Sequence, residues 1–361
     1  MSALFPLQRS DHPLPDAERE GILGSPGFGR HFTDHMVRAS WTPEAGWHGH
    51  AVTALAPFSL HPGAAVLHYA QEIFEGLKAY RHADGSIWLF RPQANARRFV
   101  TSSRRLALPE LDEQAFIDSL EALVRADAAW VPGYGQETSL YLRPFMFAAE
   151  AFLGVRPAAE ITYAVIASPA GPYFASGAQG TTLWVSDSYR RAGEGGTGAA
   201  KCGGNYASGL AAQVESQQHG CDQVLFADSA EPRWLEEAGT MNLFFATANG
   251  ELVTPGLGTI LAGVMRATIL DLAASHGFKA VERQVSLDEM RTGCRDGSVT
   301  EVFASGTAAV ITPVIAFKGD GYEVPVGDGQ PGKVATGLRE HILDIQYGRI
   351  PDDHGWMHPV R

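Results

Sequence analysis

Residues 191–209 read RAGEGGTGAAKCGGNYASG, and the six glycines from Gly193 to Gly204 surround a single cation, Lys201. Glycine permits positive φ angles and close backbone approach, but it loses more conformational entropy on folding than any other residue. A plain surface loop does not need this many glycines. The segment therefore indicates that a ligand docks here, and it makes Lys201 the first candidate functional residue.

The segment matches neither of the common phosphate-binding motifs. A P-loop ends in Gly-Lys-Ser/Thr, whereas Lys201 is preceded by Ala200 and followed by Cys202. A dinucleotide fingerprint needs G-x-G-x-x-G between a strand and a helix, with an acid about 20 residues further on, and that spacing is missing. Two interpretations remain: a flexible solvated loop with an exposed lysine, or a lysine that forms an imine.

An imine-forming lysine requires particular groups elsewhere in the chain. Its amine needs a pKa that is lowered by desolvation or by neighbouring cations. A pyridoxal cofactor also needs a carboxylate at its ring nitrogen, donors for its phosphate and a group that holds its phenolic oxygen. These partners can come from any part of the chain.

The composition is that of a globular protein with a sizeable core. The chain has 361 residues, of which 45% are hydrophobic, 10% aromatic and 19% charged. This length exceeds the size at which single cores usually stop growing, so we expect two domains. The net charge of −12 disfavours nucleic acid and anionic lipid as partners, because both attract clustered Lys and Arg.

Neither the cysteines nor the N-terminus indicates export. The cysteines, Cys202, Cys221 and Cys294, form no C-x-x-C pair, which fits a reducing compartment. The opening segment MSALFPLQRSDHPLPDAERE lacks the apolar core of a signal peptide. No stretch approaches the roughly 20 apolar residues that span a bilayer. We expect a cytoplasmic protein that makes no contact with membranes.

Strand and helix patterns are mixed in residues 1–168, which we predict to form the N-terminal domain. The strand pattern SIWLFRP (86–92) leads into a helix over 94–109, and a second helix covers 113–130. Apolar runs such as TSLYLRPFMF (138–147) are typical of buried strands. This part of the chain is therefore predicted to be one mixed α and β unit.

A segment rich in glycine and proline, PAGPYFASGAQG (169–180), is the predicted interdomain linker. Residues 181–361 then form the C-terminal domain. Strands such as TTLWVS and QVLFAD alternate there with helices that begin near Asn205 and Val264. The predicted fold class is mixed α/β (α+β) with two domains.

Seven short segments form a pattern that extends over most of the chain. They are FGRHFTDHM (28–36), LHYAQEIFEGLKAY (67–80), LFRP (89–92), YLRP (141–144), KCGGNYA (201–207), EAGTMN (237–242) and SGTAAVITPV (305–314). This set resembles the branched-chain amino acid aminotransferases, which are fold-type IV pyridoxal-phosphate enzymes of the class IV aminotransferase family. Its most specific part is E-x-G-T-M-N after K-x-G-G-N-Y.

The resemblance implies a smaller N-terminal α/β domain, a larger C-terminal domain that carries the lysine, and pyridoxal 5′-phosphate at the domain interface. Lys201 would form an imine with the cofactor and then move a proton between the substrate α-carbon and the cofactor. Glu237 would keep the ring nitrogen protonated, and Tyr206 would bind the phenolic oxygen. Glu236, next to Glu237, is expected to be a solvated charge.

The resemblance also implies a phosphate site. It would consist of the Arg98 side chain, the backbone amides of Val264 and Met265 at the start of a helix, and Thr307. Arg97 competes with Arg98 for this role, but the alignment through LFRP favours Arg98. Arg191 is expected near the phosphate, with a solvent-facing salt bridge as an equal alternative.

The implied substrate site has two parts. The α-carboxylate would be bound by Arg143, by the turn at Thr307 and Ala308, and by Tyr69 from the other subunit, which implies a homodimer. The side-chain pocket would be apolar and aromatic, and it would consist of Phe28, Phe74, Tyr141, Tyr173 and Thr240.

The implied reaction is reversible transamination of L-leucine, L-isoleucine or L-valine with 2-oxoglutarate, which gives branched-chain 2-oxo acids and L-glutamate. A D-amino acid aminotransferase and an aminodeoxychorismate lyase share the fold and remain alternatives. A non-catalytic binding protein of the same fold is a third. No metal site is predicted, because His48 and His50 have no third ligand nearby.

Overall fold

The computed structural model describes residues 4–172 and 180–361. Its contacts divide the chain into two compact units. The first unit comprises residues 1–173, 200–203 and 344–361, and the second comprises 174–199 and 204–343. Within the described ranges, no helix has both the length and the apolar character that crossing a bilayer requires.

Residues 4–172 contain most elements of the first unit. In chain order these are α1 (Asp16–Gly24), β1 (His35–Thr42), β2 (Gly46–Ala54), α2 (Ala65–Tyr69), β3 (Glu72–Phe74), β4 (Leu77–Arg81), β5 (Ile87–Phe90), α3 (Pro92–Arg105), α4 (Glu113–Ala126), a 3-10 turn (Ala128–Trp130), β6 (Ser139–Ala148) and β7 (Ile161–Ala170).

Residues 180–361 contain the remaining elements. In chain order these are β8 (Thr181–Val185), α5 (Gly203–Ala207), α6 (Leu210–Gln218), β9 (Gln223–Ala227), β10 (Leu235–Ala238), β11 (Met241–Thr247), β12 (Glu251–Thr254), α7 (Val264–Leu272), a 3-10 turn (Ala274–His276), β13 (Lys279–Glu282), α8 (Leu287–Asp296), β14 (Val299–Gly306), β15 (Val310–Gly319), β16 (Tyr322–Pro325), α9 (Lys333–Gln346) and β17 (Met357–Pro359).

The sheet of the first unit has eight strands in the order β17-β5-β4-β6-β7-β1-β2, and β3 also pairs with β6. Side chains alternate across a strand, so each strand has two distinct faces. On β6, Leu140 and Leu142 are fully buried, in one core with Phe99 of α3 and Phe116 of α4. The residues between and after them, Tyr141 and Arg143, are only partly buried and lie on the opposite face.

Helix α3 brings one of the predicted site residues into this unit. It starts with Pro92, which suits the first helical turn because its missing N–H has no partner to lose. It ends at Arg105, four residues before the predicted stop at Pro109, because Ala107 adopts a left-handed conformation with φ of 52°. The helix buries Ala96 and Phe99 together with Arg98.

The sheet of the second unit has nine strands, in the order β10-β9-β8-β15-β14-β11-β12-β13 with β16 paired to β15. Strand β10 also pairs with β11, so six of these strands close into a ring. A two-residue turn at Gly239 and Thr240 makes this closure, and Gly239 takes a positive φ of 59° that glycine accepts without strain. Ring closure removes exposed strand edges.

The mixed α/β fold with two domains agrees with the prediction, but the contents of the units differ from it. Segment 344–361 belongs to the first unit, because β17 pairs with β5 there. Segment 200–203, which contains the lysine, belongs to the first unit as well. The N-terminal unit is consequently the larger of the two rather than the smaller. Most of the predicted linker, including Tyr173, lies outside the described residues.

The helix predicted from Asn205 is also different. It begins at Gly203, ends at Ala207 and is followed by a separate helix from Leu210. Gly209 immediately precedes this second helix and has no side chain to extend the packing of the first. The predicted start near Val264 is confirmed by α7.

The C-terminal segment contributes a buried hydroxyl that we expect to stabilise the fold. Tyr347 is 3% exposed, and its Oη donates to the Thr138 carbonyl at 2.9 Å. Tyr347→Phe should lower the free energy of unfolding by about 1 kcal/mol, because that buried carbonyl loses a donor. Tyr322→Phe is the matched control, since Tyr322 Oη has no hydrogen-bond partner among the described residues. Urea denaturation measures both variants, and equal losses would contradict the prediction.

Candidate active site

The backbone on both sides of Lys201 is fixed within the first unit. The Phe74 N–H donates to the Lys201 carbonyl at 3.0 Å, and the Lys201 N–H donates to Ser102 Oγ at 3.0 Å. The Gly203 N–H donates to the Glu72 carboxylate. A Cβ at position 203 would collide with that carboxylate, so a larger residue there would displace the Glu72 side chain. The segment is therefore tied to β3 and α3, and the interpretation as a free solvated loop is wrong.

A buried ion pair accompanies Lys201. Glu75 is fully buried, and its carboxylate accepts from Arg98 Nε at 2.7 Å, from Arg98 Nη2 at 2.8 Å and from Asn95 Nδ2 at 2.7 Å. Removal from water acts to raise the pKa of Glu75, but Arg98, Lys201 and Asn95 outweigh it and the pKa is lowered. Glu75 is therefore an anion that holds Arg98 along one edge of the guanidinium.

The amine of Lys201 has an unusual pKa for a lysine. Removal from water is the largest cause, Arg98 acts in the same direction, and together they lower the pKa to about 8. Glu75 and Tyr141 oppose this shift. Lys201 Nζ also lies 4.9 Å from the centre of the Phe74 ring. Lowering the pKa of a lysine in this way makes the neutral, nucleophilic amine accessible near neutral pH.

Four of the predicted substrate residues lie together in the first unit. Arg143 Nη2 donates to Tyr141 Oη at 2.9 Å, and the Arg143 guanidinium lies 4.8 Å from the centre of the Phe74 ring. The Phe28 ring packs edge-on against Tyr141 at 5.1 Å. Gly76 leaves room for this arrangement, because a Cβ there would collide with Tyr141 Oη. The result is an aromatic wall with the Arg143 guanidinium against it.

The remaining predicted substrate residues lie elsewhere. Tyr69 is 39% exposed at the end of α2, and its hydroxyl donates to the Leu153 carbonyl. Thr240 is exposed in the turn between β10 and β11, and Ala308 is in the turn between β14 and β15, both in the second unit. Tyr173 is outside the described residues.

The second unit holds the predicted carboxylate, Glu237, in a fixed position. Its Oε1 accepts from Leu261 N at 2.8 Å and from Asn242 Nδ2 at 3.0 Å. Its Oε2 lies 2.8 Å from Arg191 Nε, with both side chains buried. A Cβ at Gly263 would collide with the Asn242 side chain that makes one of these contacts. Two donors and one cation thus favour the ionised form of Glu237.

Arg191 contacts a carboxylate rather than facing solvent, so the alternative of a solvent-facing salt bridge is wrong. Its Nη2 donates to the carbonyls of Gly198, at 2.9 Å, and Thr259, at 3.2 Å. The Nε contact with Glu237 is a close ion pair but not an aligned hydrogen bond. The two carbonyls therefore set the orientation of the guanidinium.

The predicted phosphate residues of the second unit belong to two neighbouring elements. Val264 and Met265 form the first turn of α7, where Gly263 supplies no side-chain cap to the helix N–H groups. Thr307 lies in the turn after β14, and α7 packs against β14. An uncapped helix start of this kind favours an anion. Tyr206 is partly buried in α5.

Sequence reasoning missed three residues and misjudged one. Glu72, Glu75 and Asn242 lie inside the quoted motifs, but only the folded chain shows that they hold Gly203, Arg98 and Glu237. Glu236 was expected to be solvated, and it is 3% exposed. Among the described residues, no group of three or more His, Cys, Asp or Glu side chains is arranged to hold a metal ion.

The lowered pKa of Lys201 predicts selective labelling. In protein stripped of pyridoxal 5′-phosphate, reductive methylation of Lys201 should reach half of its maximum near pH 8, because only the neutral amine reacts. Lys279, whose side chain is 76% exposed, is the comparison lysine in the same sample. Peptide mass spectrometry measures both sites. A midpoint for Lys201 at or above the ordinary lysine value of 10.5 would contradict the prediction.

Solved structures share this fold. A crystal structure of the branched-chain amino acid aminotransferase of Escherichia coli aligns with a TM-score of 0.74 at 27% identity, over 90% of this chain and 99% of that one. The branched-chain amino acid aminotransferase of Thermobaculum terrenum in its PLP form aligns with a TM-score of 0.70 at 23% identity, over 90% and 98%.

Curated relatives and a family profile agree with these structures. A probable branched-chain-amino-acid aminotransferase of Streptomyces coelicolor is 54% identical over 98% of both chains. A branched-chain-amino-acid aminotransferase of Mycobacterium tuberculosis is 52% identical over 99% of this chain and 98% of its own length. Residues 72–317 match the profile of the class IV amino-transferases. The resemblance seen in the sequence is therefore confirmed, and the chain belongs to the class IV aminotransferase family.

Proposed function

We propose that this protein catalyses the reversible transamination of L-leucine, L-isoleucine and L-valine with 2-oxoglutarate, using pyridoxal 5′-phosphate. Relatives that are 52–54% identical over nearly the whole chain carry the branched-chain aminotransferase name. The observation that carries the proposal is the placement of Lys201: its backbone is held by Phe74 and Ser102, and its amine, influenced by Arg98 and Glu75, has a pKa lowered to about 8. Few structural roles require a lysine in that state.

The residues present fit pyridoxal 5′-phosphate. Lys201 supplies the amine that attaches it, and Glu237, fixed by Leu261, Asn242 and Arg191, supplies an anion for the ring nitrogen. When bound, the cofactor supplies an electron-withdrawing ring that stabilises negative charge at the substrate α-carbon.

The phosphate is assigned to Arg98, to the N–H groups of Val264 and Met265, and to Thr307. Tyr206 is assigned to the phenolic oxygen. Arg98 is already held by Glu75 in a bidentate contact. A guanidinium fixed on one edge loses little further freedom when it binds an anion. We assign Arg191 to Glu237 rather than to the phosphate.

Lys201 is the proton carrier of the proposed reaction. With a pKa of about 8, roughly one molecule in ten has the neutral amine at pH 7, so the group accepts and returns a proton without a large penalty. Glu75 limits how far the pKa falls, because its negative charge favours the ammonium form.

Substrate selection is assigned to the aromatic wall of the first unit. Phe28, Phe74 and Tyr141 offer an apolar surface to a branched side chain, and Arg143 offers a cation to a carboxylate. Arg143 Nε is buried without a hydrogen-bond partner among the described residues, which supports a ligand-binding role. The family resemblance also assigns Tyr173, Thr240 and Ala308 to substrate binding.

We also infer a homodimer in which Tyr69 of one subunit serves the site of the other. The partial exposure of Tyr69 supports this. A cytoplasmic location is inferred from the free cysteines Cys202, Cys221 and Cys294, which are all buried.

Absorption spectroscopy tests the proposed reaction. The wild-type protein should show a band at the edge of the visible range that disappears with L-leucine and returns with 2-oxoglutarate. Lys201→Ala should lack this response, because the amine that attaches the cofactor is gone, and Lys279→Ala is the control. A band that responds to D-alanine but not to L-leucine would favour a D-amino acid aminotransferase instead.

Mixing two inactive variants tests the proposed dimer. Tyr69→Ala and Lys201→Ala should each lose most activity, but a mixed dimer contains one site with both native residues. We therefore expect activity to return when the two variants are unfolded and refolded together, to at most about a quarter of wild type. Recovery that is no greater than for each variant refolded alone would place Tyr69 in its own subunit's site, or outside the site.

A further inference from the structure

Glu236 is a second buried carboxylate immediately before Glu237. Its side chain accepts a hydrogen bond at Oε1 from the Thr259 hydroxyl. Its Oε2 is buried without a partner among the described residues. Burying a carboxyl oxygen without a hydrogen-bond partner lowers the stability of the folded protein. A residue that carries this cost is a candidate for a functional role.

The two consecutive carboxylates hold one short segment, residues 259–261. Glu236 binds its first residue through the Thr259 hydroxyl, and Glu237 binds its last through the Leu261 N–H at 2.8 Å. The same segment leads to Gly263, the residue before α7. The position of the segment therefore affects both the partners of Glu237 and the start of the helix assigned to the phosphate.

Thr259 also connects Glu236 with Arg191. The Thr259 carbonyl accepts from Arg191 Nη2 at 3.2 Å, and Arg191 Nε lies 2.8 Å from Glu237 Oε2. The contacts thus run from Glu236 through Thr259 and Arg191 to Glu237. The peptide bond between Glu236 and Glu237 closes them into a ring. Glycine at position 198 is needed here, because a Cβ would collide with the Thr259 carbonyl.

The charges around Glu236 do not favour a simple ion pair. Removal from water raises its pKa, and Asp228 and Glu237 add to this effect, while the Thr259 hydrogen bond and Arg191 oppose it. Glu194 and Glu231 line the same cavity of about 570 Å³. In this acidic setting, we expect Glu236 to act on its neighbours through the hydrogen bond to Thr259 rather than through attraction to a cation.

We propose that Glu236 is a positioning residue that, through its hydrogen bond to Thr259, fixes Arg191 and thereby the orientation of Glu237 toward the cofactor ring nitrogen. This inference rests on the proposed function, because it assigns Glu237 to that nitrogen. It differs from a catalytic role in that Glu236 itself touches neither substrate nor cofactor.

The test compares five variants of the cofactor-loaded protein, one of which is the double variant Glu236→Ala/Thr259→Val. Glu236→Ala and Thr259→Val remove the two ends of the hydrogen bond, whereas Glu236→Gln keeps an acceptor oxygen without the charge. Glu231→Gln is the matched control, since it removes a carboxylate from the same cavity and its side chain is 58% exposed. A pH titration of the visible band and a cofactor dissociation constant are measured for each.

We expect Glu236→Ala and Thr259→Val to raise the pH midpoint of the band by about 0.5 unit or more, because a misplaced Glu237 protonates the ring nitrogen less well and the ring then withdraws fewer electrons. Both variants should also weaken cofactor binding about tenfold, and the double variant should be no worse than either single one. Glu236→Gln and Glu231→Gln should behave like wild type.

Three results would overturn the inference. The first is an unchanged midpoint in Glu236→Ala and Thr259→Val, and the second is a shift in only one of them. The third is a shift in Glu236→Gln as large as in Glu236→Ala, which would show that charge and not the hydrogen bond matters. A wild-type protein that shows no cofactor band at all contradicts the proposed function, and this inference with it.

Discussion

The ion pair between Glu75 and Arg98 is the interaction on which the lysine site depends. Both side chains are buried, and burying two charges is favourable only when their geometry and hydrogen bonds compensate for the lost water. Here the contact is bidentate, and Asn95 satisfies the carboxylate further. The pair places a cation and an anion near Lys201, and the balance of their opposing effects, added to desolvation, leaves the amine with a pKa of about 8.

The surroundings of Lys201 in the first unit favour its uncharged form, whereas the surroundings of Glu237 in the second unit favour its charged form. In the first unit, a lysine is moved toward its neutral form because removal from water and Arg98 act together. In the second unit, Glu237 is surrounded by Leu261, Asn242 and Arg191, all of which favour the ionised form. Imine chemistry on a pyridine ring requires an amine that can lose its proton near neutral pH and a carboxylate beside the ring nitrogen.

Backbone geometry makes these charge states possible. Gly76 and Gly203 each stand where a Cβ would collide with a functional side chain, Tyr141 or Glu72. In the second unit, the turn at Gly239 and Thr240 joins β10 to β11 and so sets Glu237 opposite Asn242. Small residues at close approaches thus determine which polar groups meet, which explains part of the glycine-rich character of the chain.

The sequence by itself determined the family, the mixed α/β fold and the identities of Lys201 and Glu237 as candidates, because local patterns and ordered motifs carry that information. It did not reveal the partners of these residues. Glu236 and Glu237 are neighbours with the same chemistry, and only the tertiary structure shows that Thr259 and Arg191 give both of them buried positions. The same is true of segment 344–361, which joins the first unit through β17 and β5. Contacts between residues far apart in the chain depend on how the sheets assemble, and neither periodicity nor spacing encodes that directly.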